Sequence, residues 1–168
     1  MCSGSASRSI PKGIVLCNKE YSVSLGDLPD IKIFLIIISD KPKSVFSTEG
    51  MIQTQNSSFF YKDRLNRIED KIKLCIESIK TKDYSSLFRM IIRDSNELHS
   101  MMFETYPPIR YITDEGYKIM TLIHKFNKNE NLIAYSFDAG PNPFLFTLKE
   151  NVNDLKELLK DYELQECN

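Results

Sequence analysis

The sequence predicts an α+β fold in which an antiparallel sheet is covered by helices. Two short apolar segments come first, three segments with helical periodicity follow, and a hairpin-like pair of segments precedes a last helical one. Strands and helices that are grouped along the chain, rather than alternating one by one, are typical of α+β domains and not of doubly wound sheets. We therefore expect one such domain over residues 31–168, with residues 1–30 belonging to something larger.

Two strands are expected before the helices. Residues 13–19 and 31–39 are short, apolar and rich in β-branched side chains, and the second is continuous enough to lie in the middle of a covered sheet. A loop is expected between them, so that the first strand needs partners from outside this chain. Residues 40–50 are interpreted as a polar loop in which residues 47–50 either turn the chain, which we expect, or present hydroxyls.

Four helices are expected from the apolar periodicity. Steps of three and four residues predict a long helix over about residues 59–82, and Asp83 is expected to cap a second helix over residues 84–102. Thr113 and Asn151 are expected to cap the third and the last. The side chains expected to face the core are Tyr61, Leu65, Ile68, Ile72, Cys75 or Ile76, Ile79, Leu87, Ile91, Leu98, Met102, Tyr117, Met120, Ile123, Phe126, Leu155, Leu158, Leu159 and Tyr162.

Composition excludes several classes of function. The 168 residues carry 22 basic and 23 acidic side chains, so the net charge of -1 gives no general field for nucleic acid or an anionic membrane. The longest apolar run is far shorter than the ~20 residues of a membrane span, and no basic segment leads into it. We expect a cytosolic protein.

The 4 cysteines form no Cys-x-x-Cys pair, which predicts reduced thiols and neither a zinc site nor disulfides.

The segment with the most chemical information covers residues 135–146. Its strand alternation sends Tyr135 and Phe137 to one face and leaves Asp138 at the rim of the sheet. The small and turn-forming residues 139–142 then allow the backbone to approach a ligand closely. Taken alone, the segment favours a simpler interpretation, a hairpin connection in which Asp138 only bonds the amides of the turn.

Three further segments accompany this one in a fixed order. They are Ser-Gly-Ser-Ala-Ser-Arg-Ser at residues 3–9, Ser-Thr-Glu-Gly-Met at 47–51, and Asp-Ser-Asn-Glu-Leu-His at 94–99 followed by Thr-Tyr-Pro-Pro-Ile at 105–109. Together with Tyr-Ser-Phe-Asp-Ala-Gly-Pro-Asn at 135–142, the set closely resembles the diphosphomevalonate decarboxylase family of the GHMP kinase superfamily. The resemblance implies the GHMP kinase C-terminal domain fold for residues 31–168 and a remnant of the N-terminal domain for residues 1–30.

The resemblance implies an enzyme that uses ATP to decarboxylate mevalonate 5-diphosphate to isopentenyl diphosphate, for isoprenoid and sterol synthesis. Asp138 would lie beside the substrate 3-hydroxyl and orient or deprotonate it, with Ala139 lining the substrate site. Enclosure by Tyr135, Phe137 and the adjoining loop would raise the pKa of Asp138 by desolvation, and a nearby Arg8 would lower it. Magnesium would accompany ATP through phosphate oxygens, without an assigned protein ligand. Family members are expected to be homodimers.

The N-terminal segment would complete the substrate site. Ser3, Gly4 and Ser5 could open a helix, whose free amides favour a phosphate, and the resemblance implies contacts with the substrate diphosphate. Arg8 follows Ser5 by three residues and offers a fork for a carboxylate; by resemblance it would orient the carboxylate of the substrate. Ser47 would contact the nucleotide.

No catalytic or binding role is assigned to three further polar residues. Asp94 and His99 resemble family residues that look mainly structural, tying their helix to neighbouring loops. His124 is interpreted as a packed or surface histidine.

The sequence also departs from the family pattern. The Gly-Leu-Ala-Ser-Ser-Ala phosphate loop and the early Asn, Tyr and Lys substrate contacts of the family do not occur in these 168 residues, so we expect the isolated chain to be weak or inactive. Cys2 stands where the family usually has Gly, and Pro143 where it usually has Ala.

Three hypotheses follow. The chain is the C-terminal portion of a genuine decarboxylase, a related phosphomevalonate decarboxylase or mevalonate kinase, or a non-catalytic remnant acting as a binding module. Retention of both Asp138 and Arg8 disfavours a kinase that stops after phosphorylation.

Overall fold

The computed structural model describes residues 11–18, 20–43 and 45–167. They divide into two compact units, the first ending at Ile31 and the second beginning at Lys32. The first unit contains an antiparallel hairpin of β1 (Ile14–Cys17) and β2 (Ser22–Gly26). The first predicted strand is thus confirmed, but the loop predicted after it is wrong. Val23 and Leu25 alternate with serines, a strand pattern that pairs with β1 inside this chain.

The second unit is built on a four-stranded sheet. Its order is β4 (Ile133–Ser136), β5 (Phe144–Leu148), β3 (Ile31–Ile36) and β6 (Leu164–Cys167). β4 pairs with β5, and β3 with β6, in antiparallel fashion. The interior position predicted for β3 is confirmed. β6 was not predicted, because its four residues, Leu-Gln-Glu-Cys, show no clear apolar alternation and three of them are exposed.

The helices of this unit are α1 (Ser47–Ser57), α2 (Tyr61–Thr81), α3 (Tyr84–Glu104), α4 (Asp114–Phe126) and, after a short 3-10 turn, α5 (Val152–Leu158). The predicted caps of α3 and α4 are confirmed, because the side chains of Asp83 and Thr113 accept hydrogen bonds from the amides of Ser86 and Gly116. Asn151 precedes α5 but makes no such bond, since the chain enters α5 from the 3-10 turn.

Helix α1 replaces the turn expected at residues 47–50. No proline interrupts residues 47–58, and Glu49 in the first turn complements the positive end of the helix dipole. Gly50 weakens a helix in isolation, but here it is required by close packing. A Cβ added to it would lie 2.5 Å from the hydroxyl of Tyr111. The expectation of a turn was therefore wrong because a tertiary contact decided the role of this glycine.

The core lies between the sheet and helices α3, α4 and α5. Side chains exposed by 2% or less include Phe34, Ile36, Phe88, Ile119, Ile123, Ile133, Tyr135, Phe137, Leu145, Leu155 and Leu159. α3 packs on β4 on one side and on α2 on the other. The predicted apolar stripe of α2 is only partly correct, because Leu65 and Ile68 are 47% and 41% exposed. Tyr117 of α4 is likewise exposed, and Tyr162 lies beyond the end of α5.

These elements confirm the predicted α+β class. Within the described ranges, none of the helices combines the length and apolar character that a membrane span requires.

Candidate active site

The backbone of Phe137, one residue before Asp138, is held by α3 at both its amide and its carbonyl. The Phe137 N–H donates to Oγ of Ser95 at 2.9 Å, and Nε2 of His99 lies 3.2 Å from the Phe137 carbonyl oxygen. Ser95 and His99 are four residues apart and so share one face of α3. Because a carbonyl only accepts, Nε2 of His99 carries the proton in this contact. The chain therefore leaves β4 along a defined path.

Aromatic packing holds the His99 ring in place. The ring meets those of Phe137 and Tyr111 edge to face, with centroids 6.0 and 6.5 Å apart. Burial lowers the pKa of His99, while the contact with the Phe137 carbonyl and the charge of Asp138 oppose that change. Since the net direction is downward, His99 is neutral at pH 7.

Asp138 itself is exposed, whereas Tyr135 and Phe137 are buried in the core. The expected enclosure of the carboxylate by these two rings is therefore wrong, because the rings turn inward and the carboxylate turns away from them. Gly140 leaves room for the carboxylate: a Cβ added there would lie 3.1 Å from Oδ1 of Asp138. The aspartate thus has a defined location and a side chain accessible to a ligand.

A cleft of about 470 Å³ opens beside Asp138. Its lining includes Ser39, Lys41, Lys43, Phe46 and Asn142. The side chain of Asn142 accepts from the amides of Ile38 and Ser39 at 2.8 and 3.0 Å and donates to the Ser39 carbonyl at 3.0 Å. The loop after β3 is therefore tied to the turn after Asp138, and both loops line the same cleft.

Lys43 contributes a positive charge next to the Asp138 turn. Its ammonium donates to the carbonyl oxygen of Ala139 at 2.6 Å and lies 5.9 Å from the centre of the Tyr111 ring. Both contacts favour a cation. Lys43 was not among the predicted site residues, because a lysine in a polar loop is no signal until the fold brings residue 43 to residue 139.

The hydroxyl of Tyr111 is buried without a hydrogen-bond partner among the described residues. It lies against Gly50 in the first turn of α1. Burial raises the pKa of Tyr111, and the negative charges of Glu49 and Asp138 raise it further. Tyr111 therefore stays neutral. Its ring lies next to the Lys43 ammonium, and its hydroxyl lies against Gly50 at the start of α1.

The predicted site residues have different outcomes. Asp138 lines the cleft, and the half-buried Ala139 next to it accepts a hydrogen bond from Lys43 through its carbonyl oxygen. Ser47 is exposed at the start of α1, directly after Phe46 of the cleft lining. The other four, Ser3, Gly4, Ser5 and Arg8, lie outside the described residues, so their approach to Asp138 stays a prediction.

Both ends of β4 are tied to neighbouring helices. Tyr135 donates its hydroxyl to Oδ1 of Asn96 at 3.0 Å, and Nε2 of His124 lies 2.9 Å from the same hydroxyl. At the other end, Asn127 bonds the backbone of Leu132 and Ile133. The sequence segment 94–99 thus contacts β4, and it also contacts α2, because Asp94 and Glu97 accept hydrogen bonds from Arg64. Across the described ranges, no group of three or more His, Cys, Asp or Glu side chains could hold a metal ion.

The sheet, its covering helices and the cleft at its rim place this domain in the GHMP kinase fold. Residues 33–167 match the family described as mevalonate 5-diphosphate decarboxylase C-terminal domain, and the chain belongs to that family. The resemblance to this family is confirmed, as is its restriction to the C-terminal part of the enzyme. The match contains the segments at 47–51, 94–109 and 135–142, whereas residues 3–9 precede it.

Individual relatives agree. The chain is 32% identical to the diphosphomevalonate decarboxylase of Saccharomyces cerevisiae over 91% of this chain and 42% of that protein. The solved mevalonate diphosphate decarboxylase of Trypanosoma brucei is 30% identical, with a TM-score of 0.76 over 82% of this chain and 39% of that one. A structure described as MDDEF in complex with MVAPP, AMPPCP and magnesium is 26% identical, with a TM-score of 0.77 over 87% and 47%. The chain spans between 32% and 47% of the length of such curated relatives.

Proposed function

We propose that this chain supplies the C-terminal part of an enzyme that decarboxylates mevalonate 5-diphosphate with ATP. The observation that carries the proposal is the placement of Asp138 at the rim cleft, beside Lys43, in a domain of the decarboxylase family. A solved relative holds MVAPP, AMPPCP and magnesium, and we take the corresponding ligands here to be mevalonate 5-diphosphate, ATP and Mg²⁺.

Asp138 is the proposed catalytic residue. Its accessible carboxylate accepts a hydrogen bond from the tertiary 3-hydroxyl of the substrate, and it orients that oxygen or takes its proton during phosphorylation. The fixed backbone before it sets the direction from which the carboxylate meets the substrate. After phosphorylation, the 3-phosphate leaves and the substrate carboxylate departs as carbon dioxide. Arg8 is the residue proposed to orient that carboxylate.

The cleft suits anionic ligands. Lys43 holds its charge next to the Ala139 carbonyl, where it offsets negative phosphate oxygens. Ser47 opens an 11-residue helix whose preceding residue, Phe46, has no side-chain oxygen for the first amides, so those amides can meet a nucleotide phosphate. ATP with magnesium, when bound, supplies the phosphoryl group that makes the 3-oxygen a leaving group, and phosphate oxygens carry most of the metal contacts.

The rest of the site is proposed to come from the N-terminal part of the enzyme. Ser3, Gly4 and Ser5 would hold the substrate diphosphate, and a phosphate loop from the remaining N-terminal residues would cradle ATP. Residues 1–30 are then a remnant of that N-terminal domain, and the 168-residue chain alone is weak or inactive. We place the whole enzyme in the cytosol as a homodimer that serves isoprenoid and sterol synthesis.

The test is reconstitution. The chain is mixed with the separately produced N-terminal half of a family member, and release of ADP and carbon dioxide from mevalonate 5-diphosphate is measured. Asp138→Asn is expected to lower kcat by about 10²- to 10⁴-fold, the usual contribution of a general base. Asp154→Asn, which alters an exposed carboxylate on α5, serves as the control and keeps full activity.

Three outcomes would contradict parts of this proposal. Undiminished activity of Asp138→Asn removes Asp138 from the mechanism. Equal or better turnover of mevalonate 5-phosphate assigns the enzyme to the monophosphate. Full turnover by the chain alone shows that it needs no N-terminal half.

A further inference from the structure

We infer that Ser95 and His99 are positioning residues for Asp138, acting together as a clamp on the backbone of Phe137. The inference rests on the proposed function, because it concerns how the catalytic carboxylate is directed. Ser95 holds the Phe137 amide at 2.9 Å and His99 holds its carbonyl at 3.2 Å, and both bonds are buried. We call this pair the Phe137 clamp.

The clamp acts at the residue where orientation is decided. Asp138 is exposed, so the direction of its side chain follows from the backbone that leads into it. Holding both the N–H and the C=O of one residue opposes rotation of the two peptide planes around it. A shift of about 1 Å in a reacting group can lower a rate by 10²-fold. Loss of the clamp is therefore expected to act on kcat more than on substrate affinity.

The surrounding packing limits where the clamp can move. His99 lies edge to face against Phe137 and Tyr111, and the Phe137 ring is fully buried. A Cβ added to Gly116 of α4 would lie 3.1 Å from the Phe137 ring, so α4 also closes over this ring. The donor on His99 is thus aimed at one carbonyl by the packing of α3, of α4 and of Phe137, the first residue after β4.

Two substitutions at residue 99 separate the donor from the ring. His99→Gln keeps an N–H donor without the aromatic packing, and His99→Phe keeps a ring without the donor. Ser95→Ala removes the acceptor for the Phe137 amide. The matched control is Thr147→Val, because Thr147 is fully buried and donates at 3.0 Å to the Leu132 carbonyl just before the other end of β4.

The experiment measures kcat and KM for each variant in the reconstituted enzyme. His99→Phe and Ser95→Ala are expected to lower kcat by about 10- to 100-fold with KM within about threefold, whereas His99→Gln stays within about threefold of wild type. Thr147→Val is expected to lose stability while keeping kcat. Amide hydrogen exchange of the 168-residue chain gives a second readout. The exchange rate of the Phe137 amide, relative to that of the other amides of β4, rises in Ser95→Ala and stays at the wild-type ratio in Thr147→Val.

The outcomes are distinguishable. If wild type is active and His99→Phe keeps its kcat, or if His99→Gln loses as much as His99→Phe, the positioning role is wrong and packing alone explains His99. Loss of kcat in Thr147→Val equal to that in Ser95→Ala also overturns the inference, because any weakening of β4 would then suffice. An inactive wild-type mixture instead overturns the proposed function, and this inference falls with it.

Discussion

The two sides of helix α3 hold their neighbours in different ways within one six-residue segment. Toward β4, Ser95 and His99 are 3% and 9% exposed and make neutral hydrogen bonds to backbone atoms. Toward α2, Asp94 and Glu97 are partly exposed and form ion pairs with Arg64, Arg67 and Lys71. The buried side fixes the backbone of one residue, Phe137, whereas the charged side holds α3 against α2.

Burial explains why these two sides differ in strength. At Asp94, burial raises the pKa, but hydrogen bonds and charge from Arg64 and Lys71 outweigh it, and the net pKa lies below the usual value. The most exposed of these pairs, between Arg67 and Glu97, contributes about 0–1 kcal/mol, because water and salt screen it. A buried amide that loses its acceptor costs about 1–3 kcal/mol. Losing one of the two buried hydrogen bonds to Phe137 is therefore expected to cost more than losing the exposed Arg67–Glu97 pair.

The largest effect is expected from Ser95→Ala. The substitution leaves the Phe137 amide buried without an acceptor and lowers the free energy of unfolding by about 1–3 kcal/mol. Urea denaturation at low and high salt measures it, and the loss should be the same in both because no charge is involved. If the loss of unfolding free energy shrinks with salt, or if it is below about 0.5 kcal/mol, Ser95 contributes no more to stability than an exposed residue does.

A pH-dependent effect of intermediate size is expected from His99. Burial holds its pKa below the ordinary 6.5, so the unfolded chain binds a proton more readily than the folded one. The stability that neutral His99 provides is complete above pH 6.5 and is lost as pH falls through the folded pKa. Tyr111 and Asp138 face the ring, and Asp138 opposes the shift.

Thermal unfolding of wild type and His99→Gln between pH 7.5 and 5.5 measures this effect. The glutamine does not titrate, so wild type should lose more stability over this range. Parallel curves would show that His99 has no lowered pKa.

The smallest effect is expected from Arg67→Gln on the α2 side. The Arg67 side chain is 60% exposed and pairs with Glu97, so its loss should change the unfolding free energy by less than about 1 kcal/mol. The difference should shrink further as salt is raised, because exposed charges are screened. A large loss of unfolding free energy that does not depend on salt would contradict the prediction that the charged side of α3 contributes less per contact than the buried side.

Sequence reasoning succeeded where the signal is local. The caps Asp83 and Thr113 act on amides three residues away, so their bonds follow from the chain itself. It failed where packing decides: α1 contains Gly50 and lacks a polar cap, yet its packing against Tyr111 accommodates that glycine. β6 has a weak apolar pattern and forms because it pairs with β3.

The candidate site divides in the same way. Asp138 and the turn after it were visible as a strand end followed by small residues, and the segment 94–99 was visible as a family pattern. The partners of that segment were not visible, because Ser95 and His99 bond residue 137, and Lys43 bonds residue 139, across 42, 38 and 96 positions of the chain.

The amino-acid sequence by itself determined the helices α2, α3 and α4, the pair of strands β4 and β5, and the family to which the chain belongs, because these depend on periodicity, capping and short-range patterns. Only the tertiary structure decided which side chains meet at Asp138. Hydrogen bonds such as those of Ser95, His99 and Lys43 reach only about 3 Å, so they form where the fold brings distant segments together.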